Sequence, residues 1–319
     1  MTEDAKPSVV EGPTPSISAV VPTVGRPELL RALRSIRAQR TAARVELIVV
    51  YDGQPGTGLP AAAASLADQI IDTEGRVGAC RARNLGIAAA SGDMVALLDD
   101  DDEWLAHKCE AQLALLQRSP DPERTVVAGR QLYVSPRGAV SRPGPDRLMV
   151  NGESVENYLF RRRPPNGGRP SMCTSAILCP RELATTIPWD ESLVRHQDWD
   201  WLVRLGRAPG TIFAQTPEPV VRIHLGSVSS ISASTDWHAS LDWANLALRS
   251  DPAVYVDFVA AQSLRYALAA RSWIGVRTVV AALRSAKRLP SAGPAIIGLA
   301  GVLPRRTIEQ MTVATGGVR

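Results

Sequence analysis

No two cysteines in this chain stand in a CxxC pair, and only four histidines are available to complete a zinc set with Cys80, Cys109, Cys173 and Cys179. The four read as reduced, mostly buried thiols of a cytosolic protein. No apolar run approaches the ~20 residues that span a bilayer. The best candidate, AGPAIIGLAGVL at 292 to 303, is short and broken by Gly and Pro. The opening MTEDAKPSVVEGPTPS has neither the basic start nor the long apolar run of a secretory signal and reads as a flexible lead-in. No internal repeat is visible. The composition, 45% hydrophobic and 21% charged over 319 residues, excludes a disordered or fibrous chain and fits one large α/β domain with extensions or two smaller domains.

Charge is unevenly spread. Residues 257 to 319 hold 9 Lys and Arg against 2 Asp and Glu, a net +7, while the rest of the chain carries −3. This basic tail lacks the aromatic interleaving of a nucleic-acid surface. In VRTVVAALRSAKR, Val276, Val279, Val280 and Leu283 recur at i, i+3, i+4, i+7, with Arg277, Arg284 and Arg288 beside the stripe. Such a helix either lies in an anionic membrane interface or docks its stripe on the catalytic domain.

The remainder alternates strands and helices. ISAVVP (17 to 22) ends in Pro, and Pro27 then opens the helix ELLRALRSIRAQ. VELIVVYDG (45 to 53) is a β-branched run of the kind buried on both faces of a parallel sheet. An Ala-rich helix near 60 to 68, a strand QIIDT, a helix ending near Ser91-Gly92 and the strand DMVALL follow. Beyond them, EWLAHKCEAQLALLQ reads as a helix, RTVVAGRQLYVS and CTSAILC as strands, 153 to 160 as a short helix, and DWDWLVRLG as another. Strands near 211 to 215 and 219 to 224 precede a helical tail from about 236. The predicted class is α/β, a Rossmann-like, mostly parallel sheet flanked by helices. The organisation expected is a lead-in over 1–15, a catalytic domain over 16–235 with halves at 16–104 and 105–235, and a basic helical extension over 236–319.

In such sheets ligands bind beyond the carboxyl ends of the strands, where Pro22-Thr23, Asp52-Gly53 and Asp99 to Asp102 all fall. LLDDDDEW puts four consecutive carboxylates straight after a buried-looking strand. Asp99 and Asp101 can share a side that Asp100 does not, and such a pair is a hard-oxygen site for Mg²⁺ or Mn²⁺. A cation there would relieve the repulsion, and the remaining carboxylates would cap the following helix.

Taken in order, AVVPTVGRPELLRALRSIRAQ, LIVVYDG, GACRARNLGIAAASGDMVALLDDDDEW, HQDWDWLVRLG and VRIHLGSVS resemble the family 2 glycosyltransferases, inverting nucleotide-sugar enzymes of the GT-A fold. The resemblance spans roughly 17 to 226. It implies that Pro22 and Thr23 line a nucleotide pocket, Asp52 accepts from the base, as from uracil N3–H, and Arg83 lies near the nucleotide, with Asn84 and Gly86 shaping that turn. Asp99 would sit near the ribose and Asp101 on the Mn²⁺ or Mg²⁺. Asp198 would be the catalytic base, and His224 would complete metal or diphosphate binding. The implied donor is a UDP-sugar and the acceptor a glycan or lipid-linked hydroxyl, in a cytoplasmic protein with a peripheral membrane contact through its tail. Gln197 departs from the Glu common before the base, and 136 to 170 matches no family pattern.

Plainer roles stand beside these. Asp52 in YDG suits a turn, Arg81 rivals Arg83, Asp198 suits a helix N-terminus, and His224 suits a structural strand position. A haloacid-dehalogenase-type phosphatase would want Thr or Val where Glu103 stands. PTVGRPELL is a poor match to a pyrophosphorylase loop. A non-catalytic transferase-like module of a polysaccharide assembly complex would need no base at 198.

Overall fold

The computed structural model describes residues 14–161, 170–226 and 235–303. They form two compact units that interleave along the chain: one holds the chain to Gly129, Thr174–Thr186 and Gly210–Val221, the other Arg130–Cys173, Ile187–Pro209 and the chain from Arg222.

The first unit is built on a mixed sheet of strand order β3-β2-β1-β4-β7-β6-β8-β5. Its centre is β1 (Ile17–Thr23) parallel to β2 (Val45–Tyr51), in register from Ile17 opposite Val45 to Thr23 opposite Tyr51. β3 (Gln69–Asp72) extends the parallel ladder beside β2, and β4 (Met94–Leu97) extends it beside β1. Both central strands are apolar nearly throughout because helices cover both faces, and Val20, Val21, Leu47 and Val49 are fully buried. α1 (Leu29–Arg37) turns Leu29, Ala32, Leu33 and Ile36 inward at helical spacing. α3 (Ala79–Ala89) lies so close on β1 and β2 that a Cβ at Gly86 would stand 2.3 Å from a Val20 methyl. The Ala-rich segment forms only one turn, α2 (Ala61–Ala64).

β7 (Leu178–Pro180) pairs antiparallel with β4 and with β6 (Thr125–Val134). Three expectations change here. CTSAILC is a 3₁₀ turn over Thr174–Ala176 before its short strand. The strands expected at 211 to 215 and 219 to 224 are one, β8 (Ile212–His224), because proline is compatible with extended backbone and the chain stays extended through Pro217 and Pro219. EWLAHKCEAQLALLQ does not start as a helix. Glu103–Trp104 is β5, and the helix α4 begins at Lys108 and ends at Leu116. Trp104 decides this: its buried indole donates to Ser175 O at 2.9 Å and its backbone N–H donates to Ser35 Oγ at 3.0 Å.

α6 (Arg181–Thr186) completes the first unit. The second unit is mainly helical: α5 (Val155–Phe160), α7 (Gln197–Arg207), α8 (Trp237–Ala247), α9 (Pro252–Phe258), α10 (Arg265–Ala269), α11 (Trp273–Ser285) and α12 (Ala292–Leu299). Ser154, Asp236, Asp251 and Ser272 start four of them by accepting a first-turn backbone N–H. A π-helical segment, Val259–Leu264, joins α9 to α10. The stripe read either for a membrane interface or for docking turns inward: Val279 is fully buried, Val276, Val280 and Leu283 are half-buried, and α11 meets the Trp237 indole at Gly275. Its apolar residues are therefore used in the unit's own packing. No helix of the described residues is long and apolar enough to cross a membrane.

Candidate active site

Parallel pairing brings the carboxyl ends of β1, β2 and β4 to one edge of the sheet, and hydrogen bonds tie them together. The Asp52 backbone N–H donates to Thr23 O at 2.7 Å, and the Thr23 hydroxyl donates to Asp100 Oδ2 at 2.6 Å. Pro22 sits one residue back, opposite Val50 in the ladder.

Each of the four carboxylates of the acidic run meets a side chain, Asp100 and Asp101 sharing Arg26. Asp99 Oδ1 accepts from Arg83 Nη2 at 2.6 Å, Asp101 Oδ2 from Arg26 Nη1 at 3.1 Å, and Asp102 Oδ2 from the Ser175 hydroxyl at 2.6 Å. Asp100 is buried between Thr23 and Arg26, whose Nη1 lies 3.3 Å from Asp100 Oδ1. Burial pushes the Asp100 pKa up to about 6, against the pull of the Thr23 hydrogen bond and the Arg26 charge. Arg31 Nη2 fixes the turn by donating to Asp101 O at 2.6 Å. The carboxylates do not cap the next helix: Asp102 is spent on Ser175, and α4 begins only after His107. Arg26, Arg31 and Ser175 were missed as neighbours of the run, because their pairing with it spans about seventy residues of chain and no local periodicity carries it. The Arg in PTVGRPELL is the one signal that could have pointed there.

Asp52 is buried and works as a clamp. Oδ1 accepts from the Thr73 hydroxyl and the Val77 N–H, each at 2.7 Å, and Oδ2 accepts from Gly78 N–H at 2.9 Å, holding the loop that leads into α3. Arg83 is buried on α3. Asn84 and Gly86 lie inside that helix, so they shape no turn; Gly86 serves its close approach to β1.

Asp198 and His224 belong to the second unit. Asp198 stands in the first turn of α7 and is half-buried. Asp200, two residues on, is buried and accepts from Arg204 Nε at 2.6 Å and Trp243 Nε1 at 3.0 Å. His196 precedes α7 in left-handed backbone (φ 59°), stacks on Trp199 at 4.8 Å, and shares a 2.9 Å hydrogen bond with Ser240 Oγ. Burial, aided by the Arg195 and Arg265 charges, depresses its pKa to about 3. His224 ends β8, half-buried.

Among the described residues no three His, Cys, Asp or Glu side chains converge into a metal cage. The donors at the acidic run nevertheless fit Mg²⁺ or Mn²⁺. Asp99 Oδ2 and Asp101 Oδ1 stand outside any hydrogen bond among the described residues, and these cations take one or two carboxylates and fill the remaining positions with water and phosphate.

The sequence profile described as Glycosyl transferase family 2 matches residues 18–182. The chain belongs to this family. As a family 2 glycosyltransferase it carries Asp52, Arg83, Asp99 and Asp101 inside the matched stretch, and Asp198 and His224 beyond it. It is similar to the amylovoran biosynthesis glycosyltransferase AmsB of Erwinia amylovora, 28% identical over 66% of this chain and 70% of that one. It is also similar to an uncharacterized glycosyltransferase of Haemophilus influenzae, 30% identical over 33% of this chain and 36% of the other. Among solved structures, S. aureus TarS 1–349 in complex with UDP-GlcNAc superposes with a TM-score of 0.59 at 14% identity, covering 85% of this chain and 81% of that one. This likeness shows a shared GT-A fold.

Proposed function

We propose that this glycosyltransferase moves a sugar from a UDP-sugar to a hydroxyl of a glycan or lipid-linked acceptor, with inversion at the anomeric carbon. The observation that carries the reading is the strand-end cluster, in which Thr23, Asp52, Asp99 and Asp101 meet at the edge where α/β sheets bind nucleotides. The UDP-GlcNAc bound by TarS and the polysaccharide named for AmsB support the donor and acceptor classes.

Pro22 and Thr23 line the nucleotide, and Asp52 Oδ2, with one backbone donor in place, keeps a lone pair for a base N–H. Asp99 and Asp101 would hold the Mg²⁺ or Mn²⁺, and His224 would be a further ligand of the cation or of the diphosphate. When bound, the cation neutralises charge on the departing diphosphate. Arg83, which neutralises Asp99 at 2.6 Å, is placed to turn to a phosphate oxygen when the carboxylate takes a cation. Asp198 removes the proton of the acceptor hydroxyl. The acceptor oxygen bonds to the anomeric carbon as the bond from that carbon to the diphosphate oxygen breaks, and UDP leaves with the electron pair. One base and one displacement give inversion.

Isothermal titration with a panel of UDP-sugars, with and without chelator, tests the metal and the donor together. Affinity should fall at least about tenfold with chelator, since Asp99 and Asp101 then repel the diphosphate. Equal affinity would remove the cation from the site, and slow release of UDP from one member of the panel should identify the donor.

A peripheral membrane contact belongs to the same reading, carried by exposed residues in the first turn of α11 and not by the buried part of the stripe the sequence offered. Trp273 and Ile274 are about three-quarters exposed at the start of α11, between the exposed Arg271 and Arg277.

A further inference from the structure

The second unit contains a cavity of about 190 Å³ whose walls include Phe160, Pro170, Trp199 and Phe258, with Ser171 and Gln262 as polar points. Its aromatic walls are braced. Trp199 meets Phe160 edge-on at 5.4 Å and Phe258 at 5.7 Å, and the His196 ring stacks on the indole at 4.8 Å. Gln262 and its neighbour Ala261, also on the cavity wall, come from the π-helical segment. Single π turns inside helices cost regular hydrogen bonding and cluster at functional sites.

Two guanidiniums of the same unit lie over one ring: Arg195 stands 4.0 Å and Arg265, three residues past the cavity-lining Gln262, 4.8 Å from the Tyr266 centroid. Arg195 is only 6% exposed, and its Nε and Nη1, like Arg265 Nε, have no hydrogen-bond partner among the described residues. Neither arginine pairs with a carboxylate among the described residues, although Arg147, Arg161, Arg204 and Arg207 of the same unit each do. Arginine cannot shed its charge by losing a proton, so burying it without a counter-charge is unfavourable unless a ligand supplies the anion. Gln262 joins the two features, because it lines the cavity and accepts from Arg265 Nη2 at 2.8 Å.

An aromatic slot with a hydroxyl and an amide at its rim suits a pyranose, whose C–H face packs on an indole while its hydroxyls reach the polar points. We infer that this cavity receives a sugar ring of the acceptor bearing an anionic substituent, carboxylate or phosphate, which Arg265, bonded to the cavity-lining Gln262, neutralises. The inference rests on Asp198 acting on the acceptor, since Trp199 is the next residue of α7.

Saturation-transfer NMR on the full chain, irradiating aromatic protons and without donor, tests this directly. The probes are methyl glycosides in the gluco and galacto series, each as the neutral sugar, the uronate and the 6-phosphate. An anionic probe should receive saturation on its ring protons and bind at least about fivefold tighter than its neutral counterpart, an advantage lost at about 1 M salt and in Arg265→Gln. Whether the uronate or the phosphate responds identifies the substituent. Trp199→Phe should keep the ring signal and Trp199→Leu should lose it. If either variant melts as unfolded, Gln262→Ala replaces it and should weaken the anionic probe. Neutral and anionic probes binding equally, no probe binding, or signals indifferent to these substitutions would each overturn the inference. Because no donor is present, glycoside binding without any UDP-sugar turnover would instead sink the transferase mechanism and leave this site standing.

Discussion

Asp198 and Asp200 share the first turn of α7 and divide chemistry from architecture. Asp198→Asn keeps the size of the side chain but removes the proton acceptor, so turnover should drop by about 10² to 10⁴ with donor affinity little changed, as single-turnover kinetics would show. Asp200→Asn weakens bonds to Arg204 and Trp243 and should cost roughly 1 to 3 kcal/mol in urea denaturation, with a milder effect on turnover. If Asp200→Asn is the more damaging to turnover, the base is misassigned. His196 links the same region to pH. Its folded pKa of about 3 lies below the ordinary 6.5, so between these values the unfolded chain binds the extra proton. Stability is therefore unaffected by this group above pH 6.5 and falls as pH drops toward 3, by up to about 5 kcal/mol, and His196→Gln should flatten the profile between about pH 3 and 6.5. At this scale the strand-end carboxylates were legible because Asp after an apolar run is a local pattern. The partners of Asp100, and the aromatic setting of His196, depend on residues far along the chain and left no local trace.

Among elements, α3 depends on one small residue. Adding a methyl at Gly86 puts it against Val20 and Val50, so Gly86→Ala should destabilise by about 1 to 3 kcal/mol in spite of alanine's better helix propensity. A thermal melt unchanged from wild type would show that α3 can lift off the sheet freely. The parallel core was readable from the β-branched run of β2 and the alternation of strands and helices around it, whereas the later helices of the second unit were legible only as a helical tail from about 236. β5 was not, since the periodicity around Trp104 is helical and only the burial of its indole against Ser175 makes the chain extended. The π segment was not legible either: Val259–Leu264 reads as ordinary helix, and the insertion is imposed by what it packs against.

For the molecule as a whole, the basic tail was legible as charge, while its apolar stripe left membrane contact and docking on the protein equally open. Replacing Trp273 and Ile274 together by Ser should lower co-sedimentation with anionic liposomes while leaving binding to neutral ones unchanged, and no difference would remove the membrane contact. Cutting the chain at 257 would not isolate that effect, because Phe258, Val259 and Ala260 are buried in the second unit. Sheet order carries a further consequence. β8 arrives some thirty residues after the family-matched stretch ends, yet it stands between β6 and β5. During synthesis β6 must therefore wait with one side of its hydrogen-bonding groups open until β8 emerges, and a nascent chain stalled near residue 186 is a sticky intermediate. A fragment ending there should self-associate on size-exclusion chromatography and be rescued by the separately supplied remainder. A holdase acting while residues 186 to 224 emerge should therefore raise the yield of intact protein.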